Sequence, residues 1–308
     1  MIKMPVKKVA ILLASYNGEK YIAQQLQSIM DQTFQNFMCY VRDDGSSDDT
    51  VEIVKSFVKK DPDHFTLVST SSDKHGSKYN FFELIQYYKE SCSEEYVMFS
   101  DQDDVWCADK VEEEVARIEE SHDPTLVFCG QEIVNEDLVP VQTSIHGNMK
   151  DYNKYPNSLT YRNVAAGCTI CVNRELLHKA FTCITPEQFV MHDWWLMLVA
   201  AYLGKIIYID KPLMKYRQHG NNVLGTDNNN YAGKAQKYFK NFRKSMHDRK
   251  IQAELCQMQM KMLLKLAPQN DRLLNYSSIM SKPAFIKKQE LVKNSYIETD
   301  NLFTCLFV

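Results

Sequence analysis

The chain has 308 residues, 44% of them hydrophobic and 24% charged, with a formal net charge of −3. That balance suits a soluble globular chain with a sizeable core, and no run of about 18 apolar residues offers a transmembrane helix. The mild net charge hides an asymmetry: residues 233–293 hold fourteen Lys/Arg against four Asp/Glu, a balance of +10, which leaves −13 on the rest of the chain.

The N-terminus "MIKMPVKKVAILLASYNG" sets lysines before an apolar run. Val9–Ala14 is too short for the apolar core of a signal peptide and has no cleavage site after it, so it reads as a first strand. Ile22, Leu26, Ile29 and Met30 then recur at helical spacing. Phe37–Val41 reads as a second strand. Ser47 is placed to cap the next helix, with Asp48 and Asp49 in its first turn and Val51, Val54, Phe57 and Val58 on its inner face. Phe65–Ser69 is a third strand, and Phe81, Leu84, Ile85 and Tyr88 line a third helix. Tyr96–Ser100 is a fourth strand, followed by a helix marked by Val111, Val115 and Ile118. This alternation predicts an α/β fold with a mostly parallel, doubly wound sheet.

From Gly130 the rhythm loosens. Asn163–Asn173, "NVAAGCTICVN", reads as a buried strand. A helix around Asp193–Leu203 and strands at Ile206–Ile209 and Leu213–Arg217 follow. Asn221–Tyr231 is polar and Asn-rich and reads as a linker. Ile251, Leu255, Met258, Met262 and Leu266 then mark an amphipathic helix. The expected units are residues 1–225, divided near residue 130, and a basic helical region over 226–308. The nine cysteines are an odd number in a chain far longer than disulfide-stapled secreted domains, and they read as reduced thiols in the cytosol.

In doubly wound sheets, ligands bind beyond the carboxyl ends of the strands. Three polar loops stand there: "ASYNG", "RDDGSSD" and "SDQDD". Asp101, Asp103 and Asp104 repel one another unless a cation lies among them. One aspartate of an Asp-x-Asp pair can ligate Mg²⁺ or Mn²⁺ while the other holds a hydroxyl. Taken alone, the pair fits a solvated acidic turn at a helix start better, since short motifs match by chance. Asp43 and Asp44 at the same edge add weight to the ligand reading. Neither GxGxxG nor GxxxxGK[ST] occurs, so a diphosphate here would be neutralised by metal rather than cradled by glycines.

"ILLASYNGEKYIAQQLQSIMDQTF", "VRDDGSSDDT", "FSDQDDVW", "HDWW" and "YRQHGNN" together resemble glycosyltransferase family 2, most closely its bacterial rhamnosyltransferase-like branch. The resemblance spans roughly residues 6–225 and implies the GT-A fold. It implies a Mg²⁺- or Mn²⁺-dependent, inverting transfer from a UDP- or dTDP-sugar to a glycan or lipid-linked acceptor. Tyr16 would lie on the nucleobase, with Ala14 and Ser15 giving backbone contacts. Asp43, in preference to Asp44, would accept from the pyrimidine N–H. Asn80, Asp101, Gln102 and Arg217 would line the nucleotide sugar, and Asp103 and His219 would hold the metal. Asp193 would be the general base, at a site where many relatives have Glu-Asp in place of His192-Asp193. Gly167 would leave room for the sugar, and Trp194 and Trp195 would wall the acceptor.

Each residue has a plainer reading. Tyr16 and the two tryptophans would serve as core, His219 as a surface histidine, and Asp193 as a helix N-terminal acid. Two other classes stay open: a sugar-nucleotide nucleotidyltransferase, and a nucleotide-sugar or glycan binder without turnover. The lysine-flanked stripe at Ile251–Leu266 fits either a cover on the catalytic domain or a helix lying on the inner face of the cytoplasmic membrane. No nucleic-acid partner is expected.

Overall fold

The computed structural model describes residues 8–70, 72–144, 152–219 and 234–296. The proposed linker Asn221–Tyr231 and the closing "NLFTCLFV" lie outside them. The first strand, β1 (Val9–Ser15), sits between β2 (Phe37–Asp43) and β4 (Tyr96–Ser100), with β3 (Phe65–Val68) beyond β2. All three pairings are parallel, and Leu13 lies between Val41 and Ser100. Both faces of β1 are covered, which is why its sequence is a continuous apolar run rather than an alternating one. Val9, Ile11 and Leu13 enter one core, against Ile22, Leu26 and Ile29 of α1 (Ile22–Met30) and Val54 of α2 (Thr50–Lys60). Ala10 and Leu12 enter the other, with Phe81, Leu84, Ile85 and Tyr88 of α3 (Ser77–Ser91).

Beyond β4 the sheet is mixed. A two-residue strand β5 (Val105–Trp106) precedes α4 (Lys110–Ile118), β6 (Thr125–Val134) and β7 (Pro140–Ser144). The segment read as a strand over Asn163–Asn173 makes a 3-10 turn at Gly167–Thr169, and only Ile170–Asn173 forms β8. After α5 (Arg174–Ala180) and α6 (His192–Leu203), the two expected strands are one, β9 (Lys205–Arg217), whose pairing with β6 shifts register around Gly130. A bulge near Pro212, rather than a break, absorbs the proline. β8 is antiparallel to β4, and β5 is antiparallel to β9.

Two local expectations change. Ser47 does not cap α2: Asp49 precedes the helix, and Asp48 Oδ1 accepts from the Thr50 amide at 3.0 Å. Cys168 and Cys171 form a Cys-x-x-Cys spacing that the sequence reading passed over; both are buried free thiols at the start of β8.

Three helices close the chain: α7 (Lys234–Leu266), α8 (Asp271–Met280) and α9 (Ala284–Lys293). The buried face of α7 carries Ala253, Cys256, Met260, Met262 and Leu263, which share one core with Trp195 and Phe189, and Leu266 packs against it. Of the stripe expected from the sequence, Met262 and Leu266 face this core, whereas Ile251 and Met258 are exposed. Gln259 accepts from the Val190 amide, the Tyr161 and Tyr276 hydroxyls meet at 2.8 Å, and Asn157 donates to the Asn294 carbonyl. The end of α7 is therefore a cover on the α/β unit. No helix among the described residues is long and apolar enough to cross one.

Candidate active site

Sheet register assembles the site. β5 pairs with β9 through Val105↔Lys215, so continuing the antiparallel register sets Asp103 opposite Arg217. β4 pairs with β8 through Met98↔Cys171, and the turn before β8 brings the Cys168 thiol within 4.8 Å of carboxylate oxygens of Asp101 and Asp104. The loop "DQDD" is thereby held from both sides by chain distant in sequence.

His219 Nε2 lies 2.7 Å from Asp103 Oδ2, across 116 residues of sequence. Tyr21 stacks on the His219 ring at 4.9 Å and fixes its orientation. Arg217 is buried. It donates to the carbonyls of Asp103 and Glu136 and to Gln24, its guanidinium lies 4.6 Å from the Tyr21 ring, and its amide donates to Asp104 Oδ1. Arg217 thus brackets the acidic loop.

The carboxylates of this loop are poorly satisfied. Asp104 is fully buried and its Oδ2 has no hydrogen-bond partner. Burial first, then the nearby Asp103 and Asp101, pushes its carboxyl well above the usual range. The same causes, burial followed by Asp103 and then Asp193, raise Asp101 to about 7. Asp193 stands in the first turn of α6, where its Oδ1 accepts from the Trp194 amide at 2.6 Å. Burial raises it to about 6, against the opposing hydrogen bonds from Trp194, Asn163 and Gly167. Four carboxyl groups therefore converge from β4, the following loop and α6.

The acid pair after β2 is different. Asp43 accepts from the Ser15 and Ser46 hydroxyls and from the amides of Gly45 and Ser46. Asp44 is buried against Arg42 and accepts from the Gly76 amide at 2.6 Å. Asn80 spends its amide on the carbonyls of Ser15 and Arg42 and on the Arg42 guanidinium. Asp44 and Asn80 therefore tie strand ends together. Ser15 is buried in the same network, and Ala14 is half-buried beside it.

Gln102 clasps the backbone of Tyr16, accepting from its amide at 2.8 Å and donating to its carbonyl at 2.9 Å. This clasp needs Gly18, where a Cβ would lie 2.2 Å from Gln102 Oε1. It leaves the Tyr16 ring 55% exposed. Gln102 is thus a positioning residue, and Tyr16 is the aromatic surface it presents.

The expected acceptor wall is absent from this arrangement. Trp194 and Trp195 are buried in the core, and their indole N–H groups donate to the carbonyls of Leu159 and Ala180. Gly167 makes room for protein rather than sugar: a Cβ there would lie 2.7 Å from His192 Nε2. His192 packs on Phe81 and Phe99, neither ring nitrogen has a hydrogen-bond partner, and burial lowers its pKa to about 3. It is a neutral aromatic spacer beneath Asp193. Sequence reasoning missed Tyr21, Gln24 and Asn163 as supports; nothing in their local sequence marks them, because each acts through a partner distant in the chain.

The family model for glycosyl transferase family 2 matches residues 10–181. A dTDP-rhamnosyl transferase of Shigella flexneri is 31% identical over 225 residues, covering 70% of this chain and 74% of that protein. An Escherichia coli UDP-Glc:alpha-D-GlcNAc-diphosphoundecaprenol beta-1,3-glucosyltransferase is 25% identical over 197 residues, covering 62% and 69%. Among solved structures, S. aureus TarS 1-349 in complex with UDP-GlcNAc superimposes with a TM-score of 0.57 at 17% identity, covering 94% of this chain and 89% of that one. The Pyrobaculum calidifontis mannosyltransferase PcManGT, in complex with GDP-Man and Mn²⁺, gives 0.53 at 13%, covering 98% and 84%. The chain is a GT-A-fold glycosyltransferase. It belongs to glycosyltransferase family 2, with relatives that include a bacterial rhamnosyltransferase.

Proposed function

We propose that the protein moves a sugar, rhamnose foremost, from a dTDP- or UDP-sugar to a glycan or lipid-linked acceptor in bacterial polysaccharide synthesis, with inversion at the anomeric carbon. The observation that carries this reading is the meeting of Asp103 and His219 beside the raised carboxyls of Asp101 and Asp193. Residues 1–225 would carry the chemistry and 226–308 would buttress it, in the cytoplasm where nucleotide sugars are found.

Asp103 and His219 fit a divalent cation: a carboxylate oxygen and an imidazole nitrogen already converge, and Mg²⁺ takes one or two carboxylates when phosphates and water complete its shell. Such a cation, Mg²⁺ or Mn²⁺, would act as a Lewis acid on the leaving diphosphate. Asp101 would hold the donor's ribose side, and the exposed Tyr16 ring would receive the base, with Asp43 near its edge. Asp193 takes the proton of the acceptor hydroxyl as that oxygen bonds to the anomeric carbon. The bond to the diphosphate breaks at the same time, and its electron pair leaves with the diphosphate. A carboxyl near 6 is ionised at neutral pH yet basic enough for this work.

The test is release of nucleoside diphosphate from dTDP-rhamnose, UDP-glucose and UDP-GlcNAc, with and without a polyprenyl-diphosphate glycan acceptor, in Mg²⁺, Mn²⁺ or EDTA. Acceptor-stimulated, cation-dependent release from dTDP-rhamnose is the expected result. Binding of every donor without turnover would replace the enzyme reading with a binding module.

A further inference from the structure

The hairpin of α8 and α9 ends in "SKPAFIKK" (Ser281–Lys288). Both helices are anchored from behind: Leu273, Tyr276 and Ile279 of α8 and Leu291 of α9 are buried in the core shared with α6. The tip is turned the other way. Phe285 is 74% exposed, Ile286 is 43% exposed, and Pro283 and Ala284 are exposed beside them. Phe285 is the most exposed large apolar side chain described in the molecule. Lys282, Lys287 and Lys288 flank the pair in sequence, and Lys282 is bound to Glu290 at 2.7 Å. The hairpin lies in the stretch carrying +10, on a chain that elsewhere carries −13.

An exposed phenylalanine and isoleucine flanked by lysines match the two layers of an anionic bilayer surface. The apolar side chains enter the acyl boundary and the lysines meet the headgroup phosphates. Among the described residues nothing covers them, and the same helix buries Leu291 on its opposite side. We propose that the α8–α9 tip is a membrane-surface anchor, with Phe285 and Ile286 as its inserted residues and an anionic leaflet as its partner. This differs from an interfacial α7, whose inward face is occupied by the core, and it does not depend on the identity of the donor sugar.

The full chain is tested by co-sedimentation with phosphatidylcholine vesicles and with vesicles containing phosphatidylglycerol, beside F285S/I286S and K287E/K288E variants. Thermal melting and nucleoside-diphosphate binding in solution control for folding and for the active site. Binding to the anionic vesicles, weak binding to neutral ones, and a fall of roughly tenfold or more in F285S/I286S with both controls unchanged support the proposal. K287E/K288E should bind more weakly, and added salt should release the wild type. Absence of binding at low salt overturns the proposal. So does wild-type binding by F285S/I286S, which would leave the basic residues alone as the attractant. A concentration-dependent dimer that this variant abolishes would assign the tip to a second copy of the chain instead. Because nucleotide binding is read separately, loss of the anchor and failure of the catalytic assignment are distinguishable.

Discussion

Two acidic pairs, "RDDG" and "DQDD", end neighbouring regions of the sheet and look alike in sequence. They differ in how their charge is met. Around Asp43 and Asp44, serine hydroxyls, backbone amides and Arg42 supply a donor for each oxygen role. Around Asp101, Asp103 and Asp104 the protein supplies far less: Asp104 Oδ2 has no partner, and Asp101 and Asp193 are raised to about 7 and about 6. A saturated acid pair is already neutralised by the fold and asks for no cation. An unsaturated one stores electrostatic free energy that a bound cation and substrate can release, which is why the chemistry is assigned to the second.

The sharpest break of this comparison is Asp103→Ala. Removing a metal-holding carboxylate gives up several kcal/mol of stabilisation on the leaving group, so turnover should fall roughly 10³–10⁴-fold. The fold should be kept. Activity in EDTA equal to that in Mn²⁺ would overturn the role.

Asp193→Asn follows, with kcat lowered roughly 10³-fold, the middle of the range for a general base. Nucleotide affinity measured by calorimetry should be unchanged. The wild-type rate should lose its acid limb near pH 6, whereas an ordinary aspartate would hold it to about pH 4. The stability effect has the opposite sign. A carboxyl raised in the folded state binds its proton more tightly there, so its contribution declines as pH rises from about 4 through about 6. At pH 7.5 the asparagine should therefore melt higher, by roughly 1–3 kcal/mol. Activity and stability moving together in this variant would make Asp193 structural.

Asp44→Ala should invert that pattern. Breaking a buried ion pair strands Arg42 and costs about 3–5 kcal/mol, while kcat per folded molecule stays close to wild type. Denaturant melts and active-site titration measure the two separately.

The parallel half was legible because each of its strands is a short apolar run and each helix repeats at 3.6 residues: Val9–Ser15 and Ser77–Ser91 needed nothing else. The mixed half was not. Pro212 suggested a break in β9, and only the register with Gly130 shows how the strand continues past it. The α7 stripe held only in part, at Met262 and Leu266, for a related reason. Methionine, cysteine and glutamine populate both faces of that helix, so periodicity could not choose between them, and packing on α6 did. Within the site, order along the chain indicated which loops meet. It could not tell that Arg217, Asn80 and Gln102 spend their polar atoms on backbone, nor that "WW" belongs to the core. Those assignments depend on what lies opposite each side chain, which is a property of the sheet register.

The smallest predicted effect concerns Tyr16, where the two acidic regions are joined. Its backbone is clasped by Gln102 from the "DQDD" loop, and the next residue's amide donates to Ser46 beside Asp43. Its ring remains 55% exposed, an unusual state for a tyrosine held this firmly. Rigid backbone with an open aromatic face is what base stacking requires, because little side-chain freedom is lost on binding. Stacking of a base on an aromatic ring contributes roughly 1–3 kcal/mol. Tyr16→Ala should therefore weaken nucleoside-diphosphate binding about tenfold. Tyr16→Phe should bind as the wild type does, since the ring face rather than the hydroxyl makes the contact. Gln102→Ala should approach the Tyr16→Ala loss with the ring still present, because the clasp is what orients it. If Tyr16→Ala binds the nucleotide normally while Asp103→Ala does not, the donor is held by its diphosphate alone, and the base lies elsewhere along the sheet edge.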